Sequence, residues 1–163
     1  MILPIPKSRL GTAMIFRTER QKRDLEAGWR RFDRSFFASG ACHILTHEFL
    51  KRGEFKDFHP YSIVPESNFR GSHVFASDGI LVFDYHGWSD YSNFMDHYFQ
   101  KIKRIFPGWR GGLFDISQHF WSEKWFTDTC SRRPHQYYID PTERANAFIE
   151  LYIQRMPNKS ASL

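Results

Sequence analysis

The apolar positions of the chain recur with two different periods, and each period predicts its own kind of element. Leu25, Trp29 and Phe32 recur at helical spacing between Thr18 and Arg34, under a basic outer face, which predicts an amphipathic helix there. A second helix is expected over residues 36–53. It has Ser39 as N-cap, an apolar stripe through Ile44, Leu45 and Phe49, the cations Lys51 and Arg52 at its C-terminal end, and Gly53 as its stop. Phe94, Met95, Tyr98, Phe99, Ile102 and Phe106 predict a third helix from about Asp90 to Ile105, closed by Pro107 and Gly108. The last helix has Asp140 as N-cap, Pro141 at its first position and Glu143 three residues on from the cap, with Phe148, Ile149, Tyr152 and Ile153 to dock it.

Between the second and third helices the period changes to two. In the segment from Ser72 to Asp84, Val74, Ala76, Leu81 and Phe83 face one way, and His73, Phe75, Ile80, Val82 and Asp84 face the other. Both faces are largely apolar, which predicts a central element of a sheet covered on both sides. Asp78-Gly79 between the two runs is a strong hairpin signal, since both residues tolerate positive φ. As a two-residue loop it sets Ser77 opposite Ile80 and His73 opposite Asp84. Pro60, Pro65 and Gly71 mark turns around a further strand at Tyr61–Val64, and Leu113–Ile116 is another candidate. The expected fold is therefore α+β, a small antiparallel sheet flanked by helices. It forms a single domain over residues 1–163, with residues 1–16 as an extended arm and residues 157–163 as a flexible tail.

Composition changes this picture only in detail. A chain of 163 residues, 41% hydrophobic and 25% charged, is long enough for one independent core. The 17 phenylalanines supply much of it. A net charge of +5 favours acidic partners, and the excess gathers at Arg17, Arg20, Lys22, Arg23, Arg30, Arg31 and Arg34. A basic helix over residues 17–34 is accordingly a candidate surface for an anionic partner. Cys42 and Cys130 do not make a disulfide framework, and neither belongs to a CxxC pair that would suggest structural zinc. No apolar run is long enough for a signal peptide or a membrane span, so the expected location is cytoplasmic.

The candidate chemistry lies in Cys42, His73 and Asp84. Cys42 falls in the first turn of its expected helix, where free N–H groups and the helix dipole lower a thiol pKa and can hold an oxyanion. His73 on one hairpin arm is placed to take the thiol proton, and Asp84 on the other to orient the imidazole. A buried Asp84 needs a partner, and His73 is the obvious one.

This order, a Cys at a helix start, a His on a strand and an Asp on the next strand, resembles the papain-like and transglutaminase-like superfamily of cysteine enzymes over about residues 36–90. The resemblance implies a papain-like core and matches Cys42 to the nucleophile, His73 to the base and Asp84 to the orienting acid. It also implies thiol-dependent acyl transfer, as a peptidase, amidase, deamidase or transglutaminase, on a peptide or other acyl substrate with no cofactor. The chain departs from the pattern in having His43, and not Trp, after Cys42, and in lacking a clear upstream Gln for an oxyanion hole.

Other groupings compete. His43 and His47 share a helix face and form half of a metal site, with His73, His86 or Asp90 as third ligand and a metal-dependent hydrolase as the consequence. The spacing is not that of HExxH. The loop Tyr85–Asp90 follows the hairpin, making His43, His86 and Trp88 candidates for a substrate pocket. Asp90 is better placed to cap the helix after it.

Overall fold

The computed structural model describes residues 15–158; the expected arm and tail fall largely outside the described residues. Three short helices lead in: α1 (Glu19–Arg23), α2 (Leu25–Trp29) and α3 (Asp33–Ala38). They are followed by α4 (Cys42–Lys51), β1 (His59–Pro65), β2 (His73–Ser77), β3 (Leu81–Asp84), β4 (Gly87–Asp90), α5 (Tyr91–Ile105), β5 (Gly111–Asp115), α6 (Glu123–Thr129), a 3-10 turn at Pro134–Gln136 and α7 (Thr142–Ile153). The five strands form one antiparallel sheet in the order β4-β3-β2-β1-β5. The architecture is α+β, and β2, which carries His73, is its middle strand.

Side-chain alternation divides the core into two layers. Ala76, Leu81 and Phe83 pack with Ile44, Leu45 and Phe49 of α4 and with Phe148 and Ile149 of α7. Phe49 stacks on Phe83 with ring centroids 4.3 Å apart. On the opposite face Ile63, Phe75 and Val82 pack with Phe94, Tyr98 and Ile102 of α5. Burying each such side chain contributes roughly 1.5–3 kcal/mol, so both layers hold the middle strand in place. No helix among the described residues is long and apolar enough to cross a membrane.

Local chemistry corrects three expected elements. The stretch 18–34 is not one helix. Thr18 and Gln21 close a capping box on α1, and the Asp24 side chain accepts from the Ala27 N–H at 3.0 Å to start α2. The stretch 36–53 is also split. Ser39 caps the C-terminus of α3, Gly40 turns the chain at φ +106°, and α4 restarts with Ala41 at its N-cap. Cys42 therefore remains the first helical residue, although Ser39 is not its cap. Gly53 stops α4 in the left-handed region, at φ +73°, as expected.

The hairpin register is the third correction. Ser77 pairs with Val82, and Ala76 with Phe83, so the loop is longer than two residues. Asp78 accepts from the N–H groups of Ile80 and Leu81 at 2.9 and 2.8 Å, and Ser77 Oγ donates to the Leu81 carbonyl at 2.7 Å. These side-chain bonds stabilise the wider loop in place of a tight turn. Continued along the ladder, this register sets Asp84 opposite Phe75. The slip is two residues, and a slip of two preserves the face of every side chain. His73 and Asp84 thus meet diagonally on the α5 face.

Candidate active site

The site forms where the first residue of α4 meets the first residue of β2. His73 is 2% exposed and Asp84 is 1% exposed, whereas Cys42 is only half-buried and lines a cavity. His73 Nε2 donates to Asp84 Oδ2 at 2.9 Å. With Nε2 taken by Asp84, Nδ1 is the ring nitrogen His73 has left to exchange a proton with Cys42, which lines the same cavity. Asp84 accepts again at Oδ1, from the main-chain N–H of His86 at 2.8 Å, and His86 Nδ1 lies 3.0 Å from the same oxygen. A buried carboxylate with this many donors stays ionised. Burial alone would raise the Asp84 carboxyl, but His86 and His73 outweigh it and hold it well below the usual carboxylate range.

The same balance sets the thiol and the imidazole. Burial opposes ionisation of Cys42, yet hydrogen bonds from His43 and His73 lower the thiol to about 5. Burial likewise disfavours a charged His73, yet Asp84 and Cys42 raise it to about 9. Between these two values the pair is a thiolate and an imidazolium. Tyr98 lies parallel to the His73 ring at 6.0 Å, and Tyr85 meets its edge at 5.3 Å. The Tyr98 hydroxyl donates to the Gly71 carbonyl, which fixes the segment leading into β2.

The helix start supplies the complementary electrophilic groups. The first bond of the α4 ladder runs from the Leu45 N–H to the Ala41 carbonyl, and Ala41 offers no side-chain cap. The N–H groups of Cys42, His43 and Ile44 thus precede the ladder, beside the sulfur, where they can stabilise an oxyanion.

The remaining residues singled out in the sequence separate into different environments. His43 reaches the site: it lines the cavity beside Cys42, whose ionisation it favours, and donates from Nε2 to the Arg132 carbonyl at 2.8 Å. His86 does not line the cavity; it supports Asp84 from behind. Trp88 does not line it either. It is 7% exposed, packs on Phe49, Phe55, Phe58 and Phe83, and donates from Nε1 to the Tyr152 carbonyl at 2.8 Å, because β4 turns its indole into the α4–α7 layer. Asp90 caps α5 by accepting from the Asn93 N–H at 2.9 Å. His47 stacks on Trp121 at 3.6 Å and lies 3.2 Å from Glu48. Among the described residues no three His, Cys, Asp or Glu side chains are grouped as metal ligands, so His43 and His47 gain no third partner.

Much of the basic stretch is engaged locally. Lys22 pairs with Glu19, Arg30 with Glu26, and Arg31 donates to the carbonyls of Gly28, Ser35 and Ser39. Arg17 instead points toward the site, and Arg132, distant in sequence, joins it there. Nothing in the sequence pattern signals that meeting. No protein-family model, curated protein or solved structure matches the chain.

Proposed function

We propose that the chain is a thiol-dependent acyl-transfer enzyme with Cys42 as nucleophile, His73 as acid and base, and Asp84 as the orienting carboxylate. The observation that carries this reading is that the buried His73, hydrogen-bonded to Asp84, lines the same cavity as Cys42 and favours its ionisation. A helix-start thiol followed by a strand His and a next-strand Asp also supports kinship with papain-like and transglutaminase-like cores. Substrates are peptides or other amides, esters or thioesters, and the reaction needs no cofactor. A reactive thiolate suits a reducing, cytoplasmic setting.

The steps follow from the charges at rest. The Cys42 thiolate adds to the substrate carbonyl carbon, and the electron pair of the C=O bond moves to oxygen beside the N–H groups at the start of α4. Collapse breaks the bond to the leaving group, which takes the proton from His73 Nδ1 and leaves a thioester on Cys42. Neutral His73 then takes a proton from water or an amine as it attacks the thioester. The second collapse releases the product and restores thiolate and imidazolium.

p-Nitrophenyl acetate tests this directly. The expected result is a burst of p-nitrophenolate equal to the protein concentration, with one acetyl group on Cys42 by peptide mass spectrometry. Cys42→Ala should remove the burst, and its urea midpoint, compared at about pH 5 where the thiolate adds little stability, should stay close to that of the parent. Acetylation scattered over surface lysines, with no excess at Cys42, would overturn the reading.

A further inference from the structure

A cavity of about 680 Å³ opens in front of Cys42 and His73 and extends to Arg17, Lys22, Arg70 and Arg132. Its size is that of a small-molecule site. Its charge is one-sided. Asp128 is the one carboxylate lining it among the described residues, and Lys124 already binds Asp128 at 2.5 Å. Lys22 is paired with Glu19 at 2.6 Å, which leaves the three arginines as the cationic wall.

Those arginines are held in place by contacts other than ion pairs to carboxylates among the described residues. Arg132 donates from one nitrogen to the Lys22 carbonyl at 2.8 Å. Arg70 lies over the Phe16 ring at 4.5 Å, and its carbonyl accepts from the Trp109 indole N–H at 2.9 Å. The Arg17 guanidinium packs against Gly40, two residues before Cys42, so closely that a Cβ there would lie 3.0 Å from Cζ. Arg17 Nε is buried and has no hydrogen-bond partner among the described residues. Burial holds Arg17 below its ordinary value, and Arg132 and Arg70 push it down further, as uncompensated like charges do.

An unmet donor in a buried cationic cluster is costly, and what it lacks is an oxyanion, which guanidinium forks bind in paired hydrogen bonds. The Cys42 thiolate is balanced by the His73 imidazolium at rest, and both are neutral once the thiol is acylated, so the dyad leaves the arginine charge unmatched throughout the cycle. An anion brought by the substrate would match it. Resting on the assignment of Cys42 as nucleophile, we propose that this site takes acyl donors carrying a carboxylate or phosphate close to the reacting carbonyl, received by Arg17, Arg70 and Arg132.

Two alkylating reagents that differ by one charge make the test. In a Cys130→Ser background, Cys42 is treated separately with iodoacetate and iodoacetamide; in each case the thiolate displaces iodide from the CH2 group. Divided by the same ratio for free 2-mercaptoethanol, the rate ratio of the two reagents cancels the thiol's own ionisation and the reagents' own reactivities, so it reads the field of the cavity alone. The expected result is iodoacetate faster by roughly tenfold or more at low salt, as in other clefts lined by one sign of charge. The ratio should decline as sodium chloride is added, and it should approach one in Arg17→Gln and in Arg132→Gln. The salt titration needs no variant, so a variant that fails to fold does not remove the test.

Protection of Cys42 from iodoacetamide by propionate or by inorganic phosphate then tells which oxyanion is preferred; protection by neither at millimolar concentration counts against the proposal. Fast labelling by both reagents with a salt-independent ratio near one overturns the anion site and leaves the nucleophile intact. Slow labelling by both overturns the nucleophile, and the anion site with it.

Discussion

Replacing His73 with Ala should shift the pH dependence of Cys42 reactivity to higher pH without abolishing the reactivity. In the parent the thiol is held at about 5, chiefly through hydrogen bonds from His43 and His73 working against burial. Without His73, it should return toward the ordinary value of about 8.5. With the thiol fully back at that value, the thiolate fraction at about pH 6 falls from nearly complete to roughly one part in 300, a loss set by the gap of about 2.5 units between pH and pKa; the remaining His43 contact makes this the upper limit. The loss is partly offset, because a more basic thiolate attacks disulfides faster, with a Brønsted slope of about 0.4–0.5 that here gives roughly 30-fold. The net expectation is a variant about tenfold slower at about pH 6 and more than tenfold faster at about pH 9, so the two profiles cross. The assay is release of thiopyridone from 4,4′-dithiodipyridine in a Cys130→Ser background, taken as the variant-to-parent ratio at each pH so that titration of the reagent cancels. A ratio that does not change with pH, or a parent thiol that reacts only above about pH 8, would refute the thiolate–imidazolium pair.

Other perturbations read the supports of the site. Stability should rise from about pH 5 to 6.5 and then level off to about pH 9: the lowered Cys42 thiol adds stability as pH climbs above 5, and from 6.5 to 9 the raised His73 takes it back. Urea midpoints across that range check this, and the rise should be missing from Cys42→Ala. Asp84→Asn leaves the buried His73 without its carboxylate, and the expected loss is about 3 kcal/mol or more by urea unfolding, together with slower acetylation of Cys42. Phe83→Ala, which removes the ring stacked on Phe49, should cost about 3–5 kcal/mol while Cys42 in the folded fraction keeps its reactivity. At Gly71→Ala a Cβ would meet Ile102 Cδ1 at 2.5 Å from a backbone at φ +106°; a destabilisation of at least about 1–3 kcal/mol is expected, and an unchanged thermal midpoint would contradict the packing.

What was legible in the sequence was whatever depends on period and parity. The alternation through β2 and β3 placed Val74, Ala76, Leu81 and Phe83 on one face and His73, Phe75, Ile80, Val82 and Asp84 on the other. Apart from Ile80, which the longer loop leaves exposed, that assignment survived a wrong turn type, because a register slip of two residues changes partners without changing faces. Gly53 and the Pro107-Gly108 pair ended their helices where expected, and Asp90 capped α5, since such signals act within a few residues of themselves. The expected continuous helices failed for the same local reason: Asp24 and the Ser39-Gly40 pair offered caps and a turn that helical periodicity does not register.

The sequence by itself determined the α+β class, the faces of the central strands and the place of Cys42 at a helix start, because each follows from interactions between near neighbours on the chain; it did not show β4, α6 or the breaks between α1, α2, α3 and α4. Only the tertiary structure decided what surrounds the thiol. It turned Trp88 into the core, set His86 behind Asp84, and brought Arg132 from after α6 to Arg17 ahead of α1, on the wall of the cavity. Those contacts join residues up to more than a hundred positions apart, and they exist because two apolar layers close around β2. Hydrogen bonds and neighbouring charges then hold three buried side chains ionised against desolvation, a balance that has no counterpart along the chain.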